Sequence, residues 1–166
     1  MTDRVIDLGR LRGAVAGRVV GPDDPAYDTD RQIFYAFDRR PAAVIRVANA
    51  EDVAKAVEFA ADNGLELAVR SGGHSLAGHS ATDGGIVIHL GDMNRIEIAP
   101  ENRPAWAETG ATAGEHTKAA AEYGLATGFG DTASVGIGGI TLAGGIGFLV
   151  RKYGLTIDNV LAAEVV

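Results

Sequence analysis

The sequence contains no cysteine, which excludes disulfides and thiolate metal sites. It also has no basic tract and no stripe of basic and aromatic residues. Its 15 basic and 22 acidic residues give a net charge of −7, which argues against nucleic acid as a partner. The first seven residues lack the basic start and the apolar stretch of a signal peptide, so we expect a cytoplasmic protein.

Only one uncharged run, residues 133–150, is long enough to suggest a membrane span. Six of these residues are glycine, and Ser134 and Thr141 are polar, so the run has poor helix propensity. We therefore predict no membrane partner. The run is expected to be a buried glycine loop that leads into a short helix.

Glycine, by contrast, is abundant. The chain has 23 glycines in 166 residues, about twice the usual share of about 7%. The excess lies in two places, residues 72–91 and 124–154, and shows no collagen-like period. This placement favours loops that face a ligand. The length suits one domain, which we place over residues 1–166.

The most informative motif is Arg70-Ser71-Gly72-Gly73-His74-Ser75, which follows a short apolar run. Adjacent glycines open backbone conformations closed to other residues and allow a ligand to approach the main chain. Successive N–H groups and the serine hydroxyls can converge on a phosphate, and the arginine can pair with its oxygens. The motif predicts an anion-binding loop with a histidine at its rim, although such a turn is more often only a tight turn.

The hydrophobic pattern predicts a mixed α+β domain. Residues 44–69 form a strand–helix–strand unit, which predicts parallel pairing of its two strands. The later strands are expected to continue that sheet as a meander. We predict strands at 44–47, 65–69, 86–90, 95–98, 105–109 and 161–166, and helices at 6–16 and 112–123. A further helix is predicted to follow a cap at Asn49 or Glu51 and to end at Asn63-Gly64.

Three other interpretations of these motifs are weak. The cluster at 136–147 places Thr141 where a dinucleotide fingerprint needs its third glycine, so we reject a Rossmann site. His74 and His79 have no clustered carboxylates beside them, which disfavours a metal site. Ser71 and Ser75 lack the G-x-S-x-G context of a serine nucleophile.

Taken in order, the motifs resemble the FAD-binding domain (PCMH-type) of the vanillyl-alcohol-oxidase-like flavoproteins, and most closely the berberine-bridge-enzyme-like branch. The resemblance runs from about Asp24 to the end of the chain. The matching segments are 39–42, 52–53, 69–75, 83–85, 93–96, 110–112, 135–139, 141–147, 151–155, 158–159 and 165–166.

The resemblance implies a fold of two small α/β subdomains with FAD as the cofactor. It makes residues 70–75 the pyrophosphate loop, and His74 the position that joins the 8α-methyl carbon of the flavin. The implied cofactor-binding residues are Arg70, Ser71, Gly72, Gly73, His74, Ser75, Gly78, Gly110, Thr132, Ser134, Val135, Gly136, Gly138, Gly139, Gly144 and Val165.

The chain departs from the family in two ways. Thr132 stands where members with a doubly linked flavin carry a cysteine, so the resemblance implies one histidyl bond through His74, or none. Family enzymes also continue into further FAD-domain chain and a substrate domain. We therefore expect an FAD domain that is incomplete at its C-terminus, with no catalytic base in this chain.

These observations predict the FAD-binding part of an oxidoreductase that acts on a small molecule. Its flavin takes hydride from an alcohol, sugar or amine carbon and passes electrons to oxygen. The alternatives are a non-catalytic flavin- or nucleotide-binding module that lacks a substrate wall, and a plain anion-binding or interaction domain. The sequence leaves the oligomeric state open.

Overall fold

The computed structural model describes residues 6–99, 101 and 104–166, which divide into two compact units. The first unit comprises residues up to Arg70, Ser75–Asp92 and Val166, and the second comprises Ser71–His74 and Met93–Val165. The prediction that no signal peptide is present depends partly on residues 1–5, which lie outside the described residues.

The first unit is built on a four-stranded sheet with the strand order β1-β2-β4-β3. Strand β1 is antiparallel to β2, whereas β4 is parallel to both β2 and β3. The elements are α1 (Leu8–Ala14), β1 (Arg18–Val20), α2 (Tyr27–Asp30), β2 (Ala43–Arg46), α3 (Ala50–Asn63), β3 (Leu67–Arg70) and β4 (Ile86–His89).

The core of this sheet follows from its apolar strands. Val44, Val87 and Ala68 lie side by side on β2, β4 and β3 and form one buried cluster. A parallel sheet is buried on both faces, which explains why its strands are apolar runs rather than alternating ones. The predicted direct pairing of the strands at 44–47 and 65–69 is wrong, because β4 lies between them.

Helix α3 begins at one of its two predicted caps and ends as predicted. Asn49 caps its start by accepting a hydrogen bond from the Asp52 backbone, and Gly64 ends it in the left-handed conformation. Asp52 itself is buried and accepts hydrogen bonds from the N–H groups of Ala16, Gly17 and Ala48. Burial alone would raise the pKa of Asp52, but these three bonds outweigh it and leave the pKa below its ordinary value.

The second unit contains a two-stranded antiparallel sheet and short helices. Its elements are β5 (Ile96–Ile98), β6 (Ala105–Ala107), α4 (Ala113–Ala121), α5 (Ile137–Leu142), α6 (Val150–Tyr153) and a 3₁₀ turn at Ile157–Asn159. Among the described residues, strand β6 pairs with β5 and with no strand of the main sheet, so the predicted continuation of that sheet is wrong. Thr112 begins α4 with a capping box to Glu115, and Gly124 follows it in the left-handed conformation.

Two further predictions in this unit are corrected. Residues 161–166 form no strand and are exposed, because none of their backbone groups joins a ladder. The uncharged run at 133–150 is not a buried loop: helix α5 lies inside it, and Leu142 and Phe148 are 86% and 87% exposed. None of the helices described here is long and apolar enough to cross a membrane.

Candidate cofactor site

Arg70 ends β3 with its guanidinium group buried in the first unit, where only 3% of the residue is exposed. Its Nε donates to the carbonyl of Ser80, Nη1 donates to those of Asp30 and Gln32, and Nη2 donates to that of Arg31. Burial lowers the pKa of Arg70 to about 10. Four of its five N–H groups already serve backbone carbonyls, so only one is left for a phosphate oxygen, and the contact of Arg70 with a cofactor stays a prediction.

The next four residues, Ser71–His74, belong to the second unit. Ser71 Oγ donates to the carbonyl of Thr109. A Cβ built on Gly72 would overlap the backbone nitrogen of Gly136 and lie 2.8 Å from the carbonyl oxygen of Ser134. The close approach of the two chain segments therefore requires glycine at position 72.

Gly73 gives this turn its shape. It is a buried residue with φ +72, in the left-handed region that glycine adopts without strain. Within the described part of the chain, no protein acceptor receives the N–H of Gly72 or Gly73. Two successive N–H groups beside a left-handed glycine are the donors that a phosphate needs, so the turn fits the predicted pyrophosphate loop.

The segment opposite this loop is fixed by the start of helix α4. The N–H of Ala113 donates to the carbonyl of Val135 at 2.8 Å, and the N–H of Gly114 donates to that of Ala133 at 2.9 Å. The first N–H groups of a helix have no partners within the helix, so these bonds use donors that are otherwise unpaired. The capping box formed by Thr112 and Glu115 is visible in the sequence and marks this anchor.

Two predicted residues of the second glycine cluster lie against the same framework. Gly136 approaches Ser71, whose Oγ a Cβ at that position would overlap. A Cβ on Gly138 would lie 3.0 Å from both Cβ and the carbonyl oxygen of Thr109. Gly139, one residue further, faces open space. Bare backbone is therefore required at 136 and is nearly required at 138, while 139 is unconstrained by the protein.

His74 is half-buried, and its Nε2 lies 3.0 Å from Ser134 Oγ. The structure thus brings together six of the predicted residues within the second unit: Ser71, Gly72, His74, Ser134, Val135 and Gly136. One further member of this group, Thr109, was not predicted, and it takes part through its carbonyl oxygen. A carbonyl leaves no side-chain pattern to read.

The predicted residues Ser75 and Gly78 lie in the first unit. Ser75 Oγ accepts a hydrogen bond from the N–H of His79 at 3.1 Å, and the Ser75 carbonyl accepts one from Gly78. Gly78 has φ +74, and a Cβ there would touch the ring of Phe37 at 3.5 Å. Both residues therefore shape a tight turn, and their contact with a cofactor stays a prediction.

The remaining predicted residues are dispersed over the second unit. Gly110 is buried and its N–H donates to Met93, whereas Thr132 is exposed and its hydroxyl donates to Asp131. Gly144 has φ +95 and Val165 is 86% exposed. Their roles toward FAD also stay predictions. Among the described residues, no group of histidines and carboxylates could hold a metal ion.

Comparisons with known proteins identify the family of the chain. A family model for an FAD binding domain matches residues 41–166, which is more than half of the chain. (R)-6-hydroxynicotine oxidase from Paenarthrobacter nicotinovorans is 44% identical over 154 residues, which are 92% of this chain and 34% of the relative. Berberine bridge enzyme-like 14 from Arabidopsis thaliana is 34% identical over 84% of this chain and 28% of its own.

Solved structures show the same fold. The crystal structure of 6-hydroxy-D-nicotine oxidase from Arthrobacter nicotinovorans superposes with a TM-score of 0.87 at 44% identity, over 89% of this chain and 33% of that one. Glucooligosaccharide oxidase from Acremonium strictum, which carries a 6-S-cysteinyl, 8α-N1-histidyl FAD, gives 0.81 at 30% identity, over 89% and 32%. The chain spans about a third of the length of the curated relatives it matches.

The fold and the glycine-lined loops thus define an FAD-binding domain. The chain belongs to the FAD-linked oxidoreductases of the PCMH type, which include the berberine-bridge-enzyme-like proteins. The predicted family, fold class and cofactor are confirmed. The complete absence of cysteine also excludes, in this chain, a thioether bond like that of glucooligosaccharide oxidase.

Proposed function

We propose that this chain is the cofactor-binding part of an FAD-linked oxidase in which His74 forms a single covalent bond to the flavin. The substrate is a small molecule oxidised at an alcohol, sugar or amine carbon, and dioxygen takes the electrons. Bound FAD supplies the ring that accepts hydride, and the protein holds and tunes that ring. The support for this substrate class is that the relatives named above are oxidases of hydroxynicotine and of glucooligosaccharides.

The observation that carries the proposal is the position of His74. The imidazole projects from a turn whose backbone is pressed against residues 134–136, so the side chain starts from a fixed point. The same turn offers the N–H groups of Gly72 and Gly73 to a pyrophosphate. One loop can therefore hold the phosphates and present a nitrogen nucleophile to the ring, which is the arrangement that a covalent tether needs.

The experiment is to purify the intact protein and measure its mass after acid denaturation. We expect an increment of one FAD in the wild type and none in His74→Ala, whose flavin is released on acid precipitation. Anaerobic addition of alcohols, sugars and amines should then bleach the flavin absorbance with one class, and air should restore it. A wild-type flavin that washes out contradicts the covalent bond, whereas a yellow protein that no substrate bleaches indicates a binding module without catalysis.

A further inference from the structure

The chain passes from the first unit to the second after Asp92, just beyond the end of β4. Each residue of this connection, 90–92, has an anchoring contact in the first unit. The N–H of Leu90 donates to the carbonyl of Arg70 at 2.8 Å, the N–H of Gly91 donates to Nδ1 of His89 at 3.0 Å, and the carboxylate of Asp92 pairs with the guanidinium of Arg46. Of these contacts, only the second uses a side chain that ordinarily titrates between pH 5 and 8.

The bond between His89 and Gly91 fixes the state of the imidazole. Its donor is a backbone N–H, so Nδ1 is the acceptor and a neutral ring carries its proton on Nε2. The ring also packs closely on the backbone of Gly91, where a Cβ would lie 2.6 Å from Cε1. A hydrogen bond and close packing therefore both hold residue 91 against the neutral ring.

Protonation of His89 removes this acceptor. In the imidazolium both ring nitrogens are donors, so Nδ1–H and the N–H of Gly91 would face each other with no acceptor between them. The bond is then lost, and the added charge lies between Arg46 and Arg70, which are the register neighbours of His89 on β2 and β3. The protonated ring is thus incompatible with the closed connection.

The charged groups around the ring come from every element beside it. Burial, followed by the guanidinium groups of Arg46 and Arg70, lowers the pKa of His89 to about 4. Two carboxylates act in the opposite direction, Asp30 on α2 and Asp92 in the connection, but they do not outweigh burial. Helix α3 also contacts β4, and the carboxylate that it buries, Asp52, is occupied by backbone N–H groups.

We propose that His89 is a pH-sensitive latch on the connection at residues 90–92: its neutral ring holds the N–H of Gly91, and its protonated ring releases it. This inference goes beyond the proposed function and does not depend on the covalent bond. In the open connection the ring is hydrated and its pKa returns to about 6.5. Linkage between pKa values of about 6.5 and about 4 makes the open fraction about 30-fold larger at about pH 5 than at about pH 8.

The test measures hydrogen exchange at the amides of Gly91 and Leu90 in the intact, flavin-loaded protein, by mass spectrometry with fragmentation that resolves single amides. The protection factor is the exchange rate of the same amide in an unstructured peptide at the same pH, divided by the rate in the protein. We expect the protection of Gly91 to fall about 30-fold from about pH 8 to about pH 5.

Two variants of His89 separate the hydrogen bond from the titration. His89→Asn should keep Gly91 protected and abolish the fall with pH, because the amide oxygen of asparagine accepts the same bond and does not titrate. His89→Leu should leave Gly91 poorly protected at both pH values, because leucine offers no acceptor.

Low concentrations of urea distinguish release of the connection from unfolding of the unit. Local opening exposes little surface, so the exchange of Gly91 should not change below the unfolding transition. The N–H of Leu90 is bonded to the backbone of β3, so its exchange requires a larger opening and should rise with urea.

Three results would overturn the latch. The first is a Gly91 amide that has no measurable protection at about pH 8, or equal protection at both pH values. The second is an equal fall with pH in His89→Asn. The third is exchange of Gly91 that rises with urea in parallel with Leu90, because unfolding then releases both amides together. If the variants do not fold, the pH and urea series of the wild type still decide the question.

Discussion

Residues 70–78 are divided between the two units, and each unit fixes its part of this segment by a different kind of contact. In the first unit, a buried guanidinium, that of Arg70, gathers four backbone carbonyls. In the second unit, Ser71–His74 meets residues 134–136 through bare backbone, with Gly72 and Gly136 at the points of closest approach. The first arrangement depends on charge and donors, whereas the second depends on the absence of side-chain volume.

The charged arrangement of the first unit extends across its sheet. Arg46, His89 and Arg70 are neighbours in register at the ends of β2, β4 and β3. Arg46 forms an ion pair with Asp92 and lies 3.5 Å from Asp30. The guanidinium groups of Arg46 and Arg70 lie on either side of β4 and would repel one another more strongly without these carboxylates. We therefore expect the first unit to be sensitive to the loss of a charged donor and the second to be sensitive to added side-chain volume.

The largest expected effect comes from Arg70→Met, which keeps the volume of the side chain but removes its donors. The carbonyls of Asp30, Arg31, Gln32 and Ser80 lose their partner, so we expect the free energy of unfolding to fall by about 4 kcal/mol. Denaturant titration followed by circular dichroism measures this. Arg95→Met, at a side chain that is 75% exposed, should change the value by less than about 0.5 kcal/mol. Equal midpoints for the two variants would contradict the structural role of Arg70.

The next effect comes from Gly72→Ala, which adds one methyl group where the backbone of Gly136 leaves no space. We expect a loss of about 3 kcal/mol in stability, together with loss of flavin retention on gel filtration. Gly128→Ala is the matched control, because a Cβ there would lie 3.7 Å from Leu149, which is ordinary contact. If Gly72→Ala retained flavin as well as the control does, the backbone at position 72 could move away from Gly136 without loss of flavin binding, which would contradict this prediction.

The smallest of the three effects is a loss of stability at mildly acidic pH, and it comes from His89. Burial, followed by the charges of Arg46 and Arg70, lowers the pKa of His89 to about 4. The unfolded chain takes up this proton near pH 6.5, so stability is complete above that pH and falls as the pH drops from about 6.5 to 4. His89→Asn should flatten this part of a plot of melting temperature against pH.

His116 in the second unit provides the comparison for this titration. It is 5% exposed, its Nδ1 has no partner among the described residues, and its ring packs edge-on against Phe129. Burial also lowers the pKa of His116. Carboxyl groups with a lowered pKa, such as Asp52, lose their contribution only below about pH 5. Between about pH 6.5 and 5, the acid loss that remains in His89→Asn should therefore shrink further when His116→Leu is added. A single His89→Asn change that removed the whole pH dependence of this interval would show that only the charged unit senses pH there.

Local signals were enough for several predictions. Asn49 and Gly64 delimit α3 because a side-chain cap and a left-handed glycine act within one turn of the chain. The apolar strands at 43–46 and 86–89 needed only their own composition. The strand predicted at 161–166 did not form, because β propensity has no effect without a neighbouring ladder.

The sequence by itself determined the family, the cofactor and the loop that carries His74, because glycine doublets and the order of motifs are recorded residue by residue. Only the tertiary structure decided that β4 lies between β2 and β3, that Arg70 serves backbone carbonyls, and that Ser134 meets His74. Each of these depends on pairing across tens of residues. Such pairing is selected by the burial and hydrogen bonding of the whole fold and leaves no local pattern in the chain.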